Sequence, residues 1–159
     1  MSGPPLGPEV TANDPRTAIE LWKRRVAASP EAAAFRHHDG SGWRSTTFRE
    51  ADAAAREIAA GLVARGVLPG DRICLVSQTR MEWVLCDLAI LLAGGVTVPI
   101  YASNTADQCE FIIRDAGAKI VIVNAQPTPF DEVADAVFDG SISEVLPAIL
   151  GSGRRLPTQ

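Results

Sequence analysis

The sequence lacks the short motifs by which phosphate-binding, hydrolytic and zinc-dependent enzymes are usually recognised. None of G-x-x-x-x-G-K-[ST], G-x-G-x-x-G, G-x-S-x-G and H-E-x-x-H occurs in its 159 residues. There are only two lysines, Lys23 and Lys119, and neither lies in a Gly/Ser/Thr-rich loop that could bind a phosphate. The motifs therefore assign no catalytic, cofactor-binding or metal-binding residue to this chain.

Cysteine is scarce. Cys74, Cys86 and Cys109 are odd in number, and no two of them have C-x-x-C spacing. This argues against both a disulfide framework and a structural zinc site. Each cysteine has apolar neighbours, which predicts three buried thiols in a reducing, cytoplasmic compartment.

No stretch of the chain is typical of a membrane span or a secretory signal. The first residues have no basic segment followed by an apolar one. The longest uncharged stretch, residues 88–106, is interrupted by Gly, Pro, Ser and Asn, whereas a span needs about 20 mostly apolar residues. A buried helix followed by a strand is the expected structure there.

Composition and charge are those of a globular protein. Hydrophobic residues make up 47% and charged residues 21%, and the net charge is −4. Such a chain is not expected to offer a basic surface for general nucleic-acid binding. The run Lys23-Arg24-Arg25 is interpreted as a solvated helix end. His37 and His38 are adjacent in a predicted strand, so they should point to opposite faces and not bind one metal ion.

Three segments are expected: an arm over residues 1–13, a folded part over 14–124 and a tail over 125–159. The folded part should begin with a helix capped by Asp14-Pro15 and ended by Ser29-Pro30. A hairpin follows, with strands over 33–38 and 43–46. A helix then runs from a Thr47/Glu50 capping box to Gly66, with one apolar face. That face contains Phe48, Ala55, Ile58, Ala59, Leu62 and Val63.

The centre of the chain alternates strands and helices, which predicts an α/β fold with an incomplete parallel βαβ sheet. The helix over 80–93 has almost no polar face and should be deeply buried. In the tail, residues 130–138 and 142–150 are expected to form short amphipathic helices, and residues 151–159 are expected to be unstructured. The three strands are predicted over 73–76, 96–100 and 120–123, with helices over 80–93 and 105–116.

Ligands of open α/β sheets bind beyond the carboxyl ends of the strands. Tyr101, Ser103 and Asn104 follow the second predicted strand and are the candidate substrate-binding residues, although an ordinary strand-to-helix turn explains them equally well. Asp87, within an apolar helix, is assigned a structural role, a bond to backbone or to an arginine, in preference to a perturbed functional carboxylate. Trp83 is interpreted as a core residue, with an acyl pocket as the alternative.

Two elements together resemble a known family. Pro69-Gly70-Asp71-Arg72 precedes the first strand, and Gly94-Gly95-Val96-Thr97-Val98-Pro99 leads into the second. With Glu82-Trp83 and Pro99-Ile100-Tyr101, this part of the chain resembles the N-terminal segment of the adenylate-forming (AMP-binding) enzymes. It is most similar to the long-chain fatty acyl-CoA ligases. The resemblance covers at most residues 14–123.

The resemblance implies chemistry for the whole ligase: ATP and Mg²⁺ convert a fatty acid to an acyl-adenylate, and coenzyme A then takes the acyl group. The family's Pro-Lys-Gly phosphate loop and its Tyr-x-x-Thr-Glu element do not occur in this sequence. Neither do its ribose-binding aspartate and the lysine of its C-terminal domain, so no catalytic residue is carried over.

Three interpretations follow. In the first, the chain is a partial acyl-CoA ligase that is inactive alone and is partnered by the remainder of a ligase. In the second, it is a non-catalytic binding or interaction module on the same scaffold, which associates with a full-length ligase or paralogue. In the third, it is a small enzyme with an unrecognised site.

Overall fold

The computed structural model describes residues 16–38, 41–124 and 137–139. The predicted arm over residues 1–13, and most of the predicted tail over 125–159, lie outside these ranges. The described residues form a helix, a hairpin, a second helix and a parallel sheet with two further helices. This is the α/β class expected from the alternation of strands and helices.

The first helix, α1, spans Ala18–Ala28 and is capped by Thr17, so the predicted start at Asp14-Pro15 is wrong. The Thr17 hydroxyl accepts a hydrogen bond from the backbone N–H of Glu20 at 3.1 Å. The Glu20 carboxylate accepts from the backbone N–H of Arg16 at 2.6 Å. A Thr-x-x-Glu pattern therefore begins this helix, and the sequence contains that signal. The predicted end is confirmed, because Ser29 is the C-cap.

The predicted hairpin is confirmed. Strand β1 (Ala33–His38) pairs antiparallel with β2 (Trp43–Thr47), and His38 lies opposite Trp43. The predicted turn residues 39–40 lie outside the described ranges. The two histidines face opposite ways as expected: His37 is half-buried and His38 is exposed.

Helix α2 spans Phe48–Ala64 and begins with the predicted capping box of Thr47 and Glu50. Gly66 follows it with φ +88°, as expected for the residue that ends a helix. Its buried face is formed by Ala51, Ala55, Ile58 and Ala59. Val63, predicted on this face, is instead 54% exposed, whereas its neighbour Leu62 packs against the core cluster.

The second sheet has four parallel strands in the order β4-β3-β5-β6, one strand more than the sequence predicted. The added strand is Val137–Asp139, so the helix predicted over 130–138 does not extend through Val137 and Phe138. The elements of this sheet are β3 (Arg72–Val76), α3 (Met81–Leu92), β4 (Val96–Ile100), α4 (Ala106–Ala116), β5 (Lys119–Asn124) and β6 (Val137–Asp139).

The helices lie on both faces of this sheet. The chain passes from β3 out to β4 and then back across β3 to β5. Because βαβ crossovers are right-handed, these opposite movements place α3 and α4 on opposite faces. The side chains agree: Leu75 packs with residues of α2 and α3, whereas Cys74 and Val76 pack with Cys109 and Ile112 of α4.

Helix α3 is buried less evenly than predicted. Leu85, Cys86, Ala89 and Ile90 are buried on one face, while its other residues are half-buried. Deep burial is therefore confirmed for one face only. None of the helices in the described ranges is long and apolar enough to cross a bilayer.

Candidate functional site

The two sequence elements that carry the family resemblance meet at the amino-terminal edge of the parallel sheet. The backbone N–H of Gly70 donates to the carbonyl of Gly94 at 2.8 Å, and the N–H of Val96 donates to the carbonyl of Asp71 at 2.8 Å. The carboxylate of Asp71 also accepts from the backbone N–H of Leu68 at 2.8 Å, which closes the turn. We call residues 68–72 and 94–96 the strand-entry joint.

The glycines of the strand-entry joint are required by its close packing. Gly94 has φ +81°, and a β-carbon there would lie 3.3 Å from the Pro69 ring. A β-carbon on Gly95 would lie 3.2 Å from the Asp71 carbonyl oxygen and 3.1 Å from Ile90. These residues are therefore explained by contacts that hold β3 to β4, and chemistry is not needed to explain them.

The predicted substrate-binding residues lie at the opposite edge of the sheet. The backbone N–H of Asn104 donates to the carbonyl of Tyr101 at 3.0 Å, so these residues form a tight turn from β4 to α4. Tyr101 is 79% exposed, Ser103 is exposed and Asn104 is half-buried. The ordinary turn geometry is thus present, and the binding role of the three residues stays a prediction.

Asn104 is the one of the three that lines a depression. The depression is open, encloses about 440 Å³ and is otherwise formed by the first turns of α4. Tyr101 and Ser103 do not contribute to its wall. Its lining residues are Asn104, Asp107, Gln108, Phe111 and Ile112.

A half-buried ion pair follows the carboxyl end of β3, and sequence reasoning did not single it out. The Arg80 guanidinium donates two hydrogen bonds to the Glu82 carboxylate, at 2.6 Å from Nε and 3.0 Å from a terminal nitrogen. Burial opposes ionisation of Glu82. The bonds from Arg80 and the backbone, with the charges of Arg80 and His37, nevertheless hold its pKa below the usual range. The Arg-x-Glu spacing at a helix start was the available signal.

The other singled-out side chains have structural positions. Trp83 is half-buried and packs against the core cluster that contains Leu75, as expected of a core residue. Asp87 is half-buried, and its predicted bond to backbone or arginine stays a prediction. Ser77, directly after β3, is buried and donates its hydroxyl to the carbonyl of Gln78 at 3.0 Å.

The three thiols are buried and free, as predicted. Burial, with a smaller contribution from Cys109, raises the pKa of Cys74 to about 11. Burial, with the nearby charges of Glu82 and Asp87, raises the pKa of Cys86 to about 12. Burial also raises the pKa of Cys109. At neutral pH these side chains are protonated and act as small apolar residues, not as nucleophiles.

The described residues at the carboxyl edge do not fit a magnesium–triphosphate complex. Such a complex needs positioned cations and carboxylates. Arg80, which follows β3 in the sequence, is bonded to Glu82, and within the described ranges no three His, Cys, Asp or Glu side chains form a group suited to a metal ion. Ser77, Tyr101, Ser103 and Asn104, which also lie at this edge, have neutral side chains.

Comparison with protein-family models assigns the chain to a family. The family model described as "AMP-binding enzyme" matches residues 22–150. The chain belongs to the AMP-binding enzyme family. The match confirms the resemblance carried by the strand-entry joint, and it extends to residue 150, beyond the expected limit at residue 123.

Curated relatives include ligases that are much longer than this chain. The long-chain-fatty-acid–CoA ligase FadD15 of Mycobacterium bovis is 38% identical over 113 residues, which cover 70% of this chain and 18% of the relative. The uncharacterized protein Rv1549 of Mycobacterium tuberculosis is 31% identical over 116 residues, covering 73% of this chain and 65% of that protein. The chain thus spans under a fifth of the first relative and about two thirds of the second.

Solved structures of family members share the fold. The unliganded O-succinylbenzoate coenzyme A synthetase of Bacillus subtilis superposes with a TM-score of 0.67 at 23% identity, covering 79% of this chain and 26% of that one. The N-terminal subdomain of Klebsiella oxytoca NpsA superposes with a TM-score of 0.64 at 17% identity, covering 89% of this chain and 35% of that one. The described elements are therefore those of an N-terminal subdomain of an adenylate-forming enzyme.

Proposed function

We propose that these 159 residues are the N-terminal scaffold of a protein of the long-chain fatty acyl-CoA ligase type, and that they catalyse no adenylation by themselves. The observation that carries the proposal is the strand-entry joint. Its specific residues bond strand β3 to strand β4, with Gly70 and Gly94 joined at 2.8 Å, at the edge of the sheet opposite the predicted ligand edge. The residues of the strand-entry joint, which are the most specific part of the resemblance to the ligases, therefore have a structural role.

The chemistry of the ligases explains why this scaffold is insufficient for adenylation. A carboxylate attacks the α-phosphate of ATP and releases pyrophosphate, and a thiol then displaces AMP from the acyl-adenylate. Both steps develop negative charge that cations and N–H donors must stabilise. Among the described residues at the carboxyl edge, Ser77, Tyr101, Ser103 and Asn104 have neutral side chains, while Arg80 is bonded to Glu82. These groups support no step with ATP, Mg²⁺ or coenzyme A.

The experiment is ATP–pyrophosphate exchange by the purified chain with a long-chain fatty acid. We expect exchange at the level of a no-enzyme control. A ligase such as the Mycobacterium bovis relative, assayed in parallel, shows that the conditions allow the reaction. Fatty-acid-dependent exchange by this chain alone, retained after repeated purification, would contradict the proposal.

A second function is favoured by one comparison. The chain covers 65% of the uncharacterized Mycobacterium tuberculosis protein, against 18% of the ligase. A short relative supports the interpretation of a non-catalytic module that associates with the remainder of a ligase or with a full-length paralogue. Titrating the purified chain into an active ligase tests this: binding with a changed exchange rate supports the module, and absence of binding rejects it.

The cytoplasm is the proposed location. The buried, free cysteines support it, because thiols persist in reducing compartments.

A further inference from the structure

Charge is distributed unevenly along the chain. Residues 16–49, which comprise α1 and the hairpin, contain seven basic and three acidic residues, a net charge of +4 with neutral histidines. The rest of the chain contains eight basic and sixteen acidic residues. We call residues 16–49 the basic layer. The overall charge of −4 conceals this separation along the sequence.

Two of the three acidic residues of the basic layer are bound within it. Glu31 forms an ion pair with Arg49. Glu20 accepts a hydrogen bond from the backbone of Arg16 at the start of α1. The third, Asp39, lies in the sequence between the two hairpin strands. The positive charge of the layer is therefore only partly neutralised from within.

The outer face of the hairpin carries an exposed indole among basic side chains. Trp43 is 69% exposed. The Arg36 guanidinium lies 5.8 Å from the centroid of its ring, and His38 meets the ring edge-on at 5.8 Å. The antiparallel register places Arg36, His38 and Trp43 on one side of the hairpin, while Phe35 points inward and stacks on Trp22 at 6.1 Å. We call Arg36, His38 and Trp43 the hairpin patch.

We propose that the hairpin patch docks on the surface of an anionic lipid bilayer, with Trp43 at the level of the headgroups. An indole has an apolar body and a polar N–H, so it partitions into the membrane–water interface. The Arg36 guanidinium beside it is attracted by the negative surface potential of anionic lipids. The net positive charge of the basic layer adds to this attraction.

Nucleic acid is the weaker alternative for the same charges. Binding of single strands needs several aromatic side chains along a continuous basic groove. Within the described part of the basic layer, Trp43 is the one aromatic residue among the large hydrophobic side chains found exposed, and Leu21 is the other such side chain. One indole and one leucine suit an interface with lipid better than a row of bases. The proposal does not depend on the ligase assignment.

The test is sedimentation of the full chain with large unilamellar vesicles at neutral pH and low salt. One set of vesicles is phosphatidylcholine alone, and the other contains equal parts of phosphatidylcholine and phosphatidylglycerol. We expect binding to the second set, weak binding to the first, and release from the second by added salt, since salt screens surface charge. Equal binding to both sets, or none to the anionic set, would overturn the proposal.

Matched variants locate the contact. Trp43→Ala is expected to weaken vesicle binding about tenfold, because an interfacial aromatic side chain loses its partly buried apolar area. Arg36→Gln is expected to weaken it about fivefold, the equivalent of ~1 kcal/mol for one basic residue near an anionic surface. Phe111→Ala, at a side chain that is also 69% exposed, and Arg114→Gln are controls on α4, behind the opposite face of the sheet.

The controls separate a docking patch from general adhesion. If Phe111→Ala or Arg114→Gln weakens binding as much as the hairpin variants do, the proposal is wrong. Circular dichroism and the urea midpoint show whether each variant is folded. Lipid with a quencher on its headgroup should reduce the tryptophan emission of the Phe111→Ala chain. Loss of this quenching in Trp43→Ala would support direct contact between Trp43 and the bilayer. Tight binding of single-stranded RNA that depends on Trp43, without vesicle binding, would replace lipid with nucleic acid.

Discussion

At the scale of single residues, Trp22 connects α1 to the rest of the protein. No residue of α1 is buried, yet the Trp22 ring stacks on Phe35 and lies 5.4 Å from the ring of Phe48. Its indole N–H donates to the Asp52 carboxylate at 2.9 Å, and the Arg56 guanidinium donates to the other oxygen at 2.6 Å. Trp22 thus helps to attach a helix with no buried residue, through ring contacts and a charged hydrogen bond, and Arg25 of the same helix lies 5.0 Å from the Phe48 ring centroid.

Replacing Trp22 with phenylalanine should lower the free energy of unfolding by about 2 kcal/mol, because a hydrogen bond to a buried carboxylate is lost while an aromatic ring remains. Urea denaturation measures the change. The matched control is Trp43→Phe, whose exposed ring makes no such bond, so its effect should stay within about 0.5 kcal/mol. Equal losses in the two variants would contradict this account of Trp22.

The buried thiols predict how stability depends on pH. Folding raises the pKa of Cys74 from 9.0, its ordinary value, to about 11. Between these values the native thiol keeps its proton while the unfolded thiol loses it. Deprotonation therefore favours the unfolded state, and the stabilisation, complete below pH 9, is lost as the pH rises towards 11.

Urea denaturation between pH 8 and pH 11 measures this loss. The Cys74→Ala variant should be less stable than the parent at pH 8, and its stability should fall less steeply above pH 9, by up to about 1.4 kcal/mol per pH unit. The difference in slope between the two proteins isolates Cys74 from other groups that titrate in this range. Identical slopes would show that Cys74 titrates normally in the native state.

At the scale of secondary-structure elements, helix starts are set by local hydrogen bonds that the sequence displays. The capping boxes of α2 and α4 were predicted and are present, at Thr47 with Glu50 and at Thr105 with Gln108. The start predicted for α1 at Asp14-Pro15 is wrong, because the Thr17 hydroxyl caps the helix by accepting a hydrogen bond from the Glu20 backbone. By contrast, α3 starts at Arg80 without any side-chain cap, so packing must hold its first turn.

Replacing Thr47 with alanine should lower the free energy of unfolding by about 1 kcal/mol at neutral pH, because α2 loses its N-cap. The hydrogen bonds from the Thr47 backbone and side chain hold the pKa of Glu50 below its ordinary value. The stability this adds is present above that ordinary value and lost as the pH falls through the native pKa. Alanine at position 47 keeps the backbone donor and loses the hydroxyl donor, so only the part of the Thr47→Ala deficit that comes from the hydroxyl bond to Glu50 should disappear in acid.

Thr79→Ala is the control for Thr47→Ala. Thr79 is exposed and precedes α3 without capping it, so its replacement should change stability by less than about 0.5 kcal/mol at any of these pH values. Thermal denaturation followed by circular dichroism compares the two. If the stability lost in Thr47→Ala does not depend on pH, the hydroxyl bond from Thr47 to Glu50 does not contribute to stability.

At the scale of the whole molecule, the parallel sheet is assembled from strands brought together by crossovers. Its amino-terminal edge is held by the strand-entry joint, where α3 ends, β4 begins and the turn before β3 passes. Its two faces are covered by separate apolar clusters, one with α2 and α3 and one with α4. The joint is the place where a single added methyl group should disturb several elements together.

Replacing Gly95 with alanine should lower the free energy of unfolding by about 1–3 kcal/mol, because the new β-carbon would press on the Asp71 carbonyl and on Ile90. Gly42→Ala is the control, since a β-carbon there would meet nothing within 4 Å. Chemical denaturation of the two variants measures the difference. Equal stability of the two variants would mean that the joint relaxes without cost.

The sequence by itself determined the fold class, the hairpin, the caps of α2 and α4 and the family, because these depend on neighbours within a few residues or on short motifs. Only the tertiary structure decided that the two family motifs touch each other, that Val63 faces solvent, that β6 joins the sheet, and that Arg36, His38 and Trp43 share one exposed face. Each of these depends on which distant segment covers a side chain or pairs with a strand. Local hydrogen-bond patterns and periodicity do not predict which distant segment this will be, because any segment of suitable shape can pair with a strand or cover an apolar face.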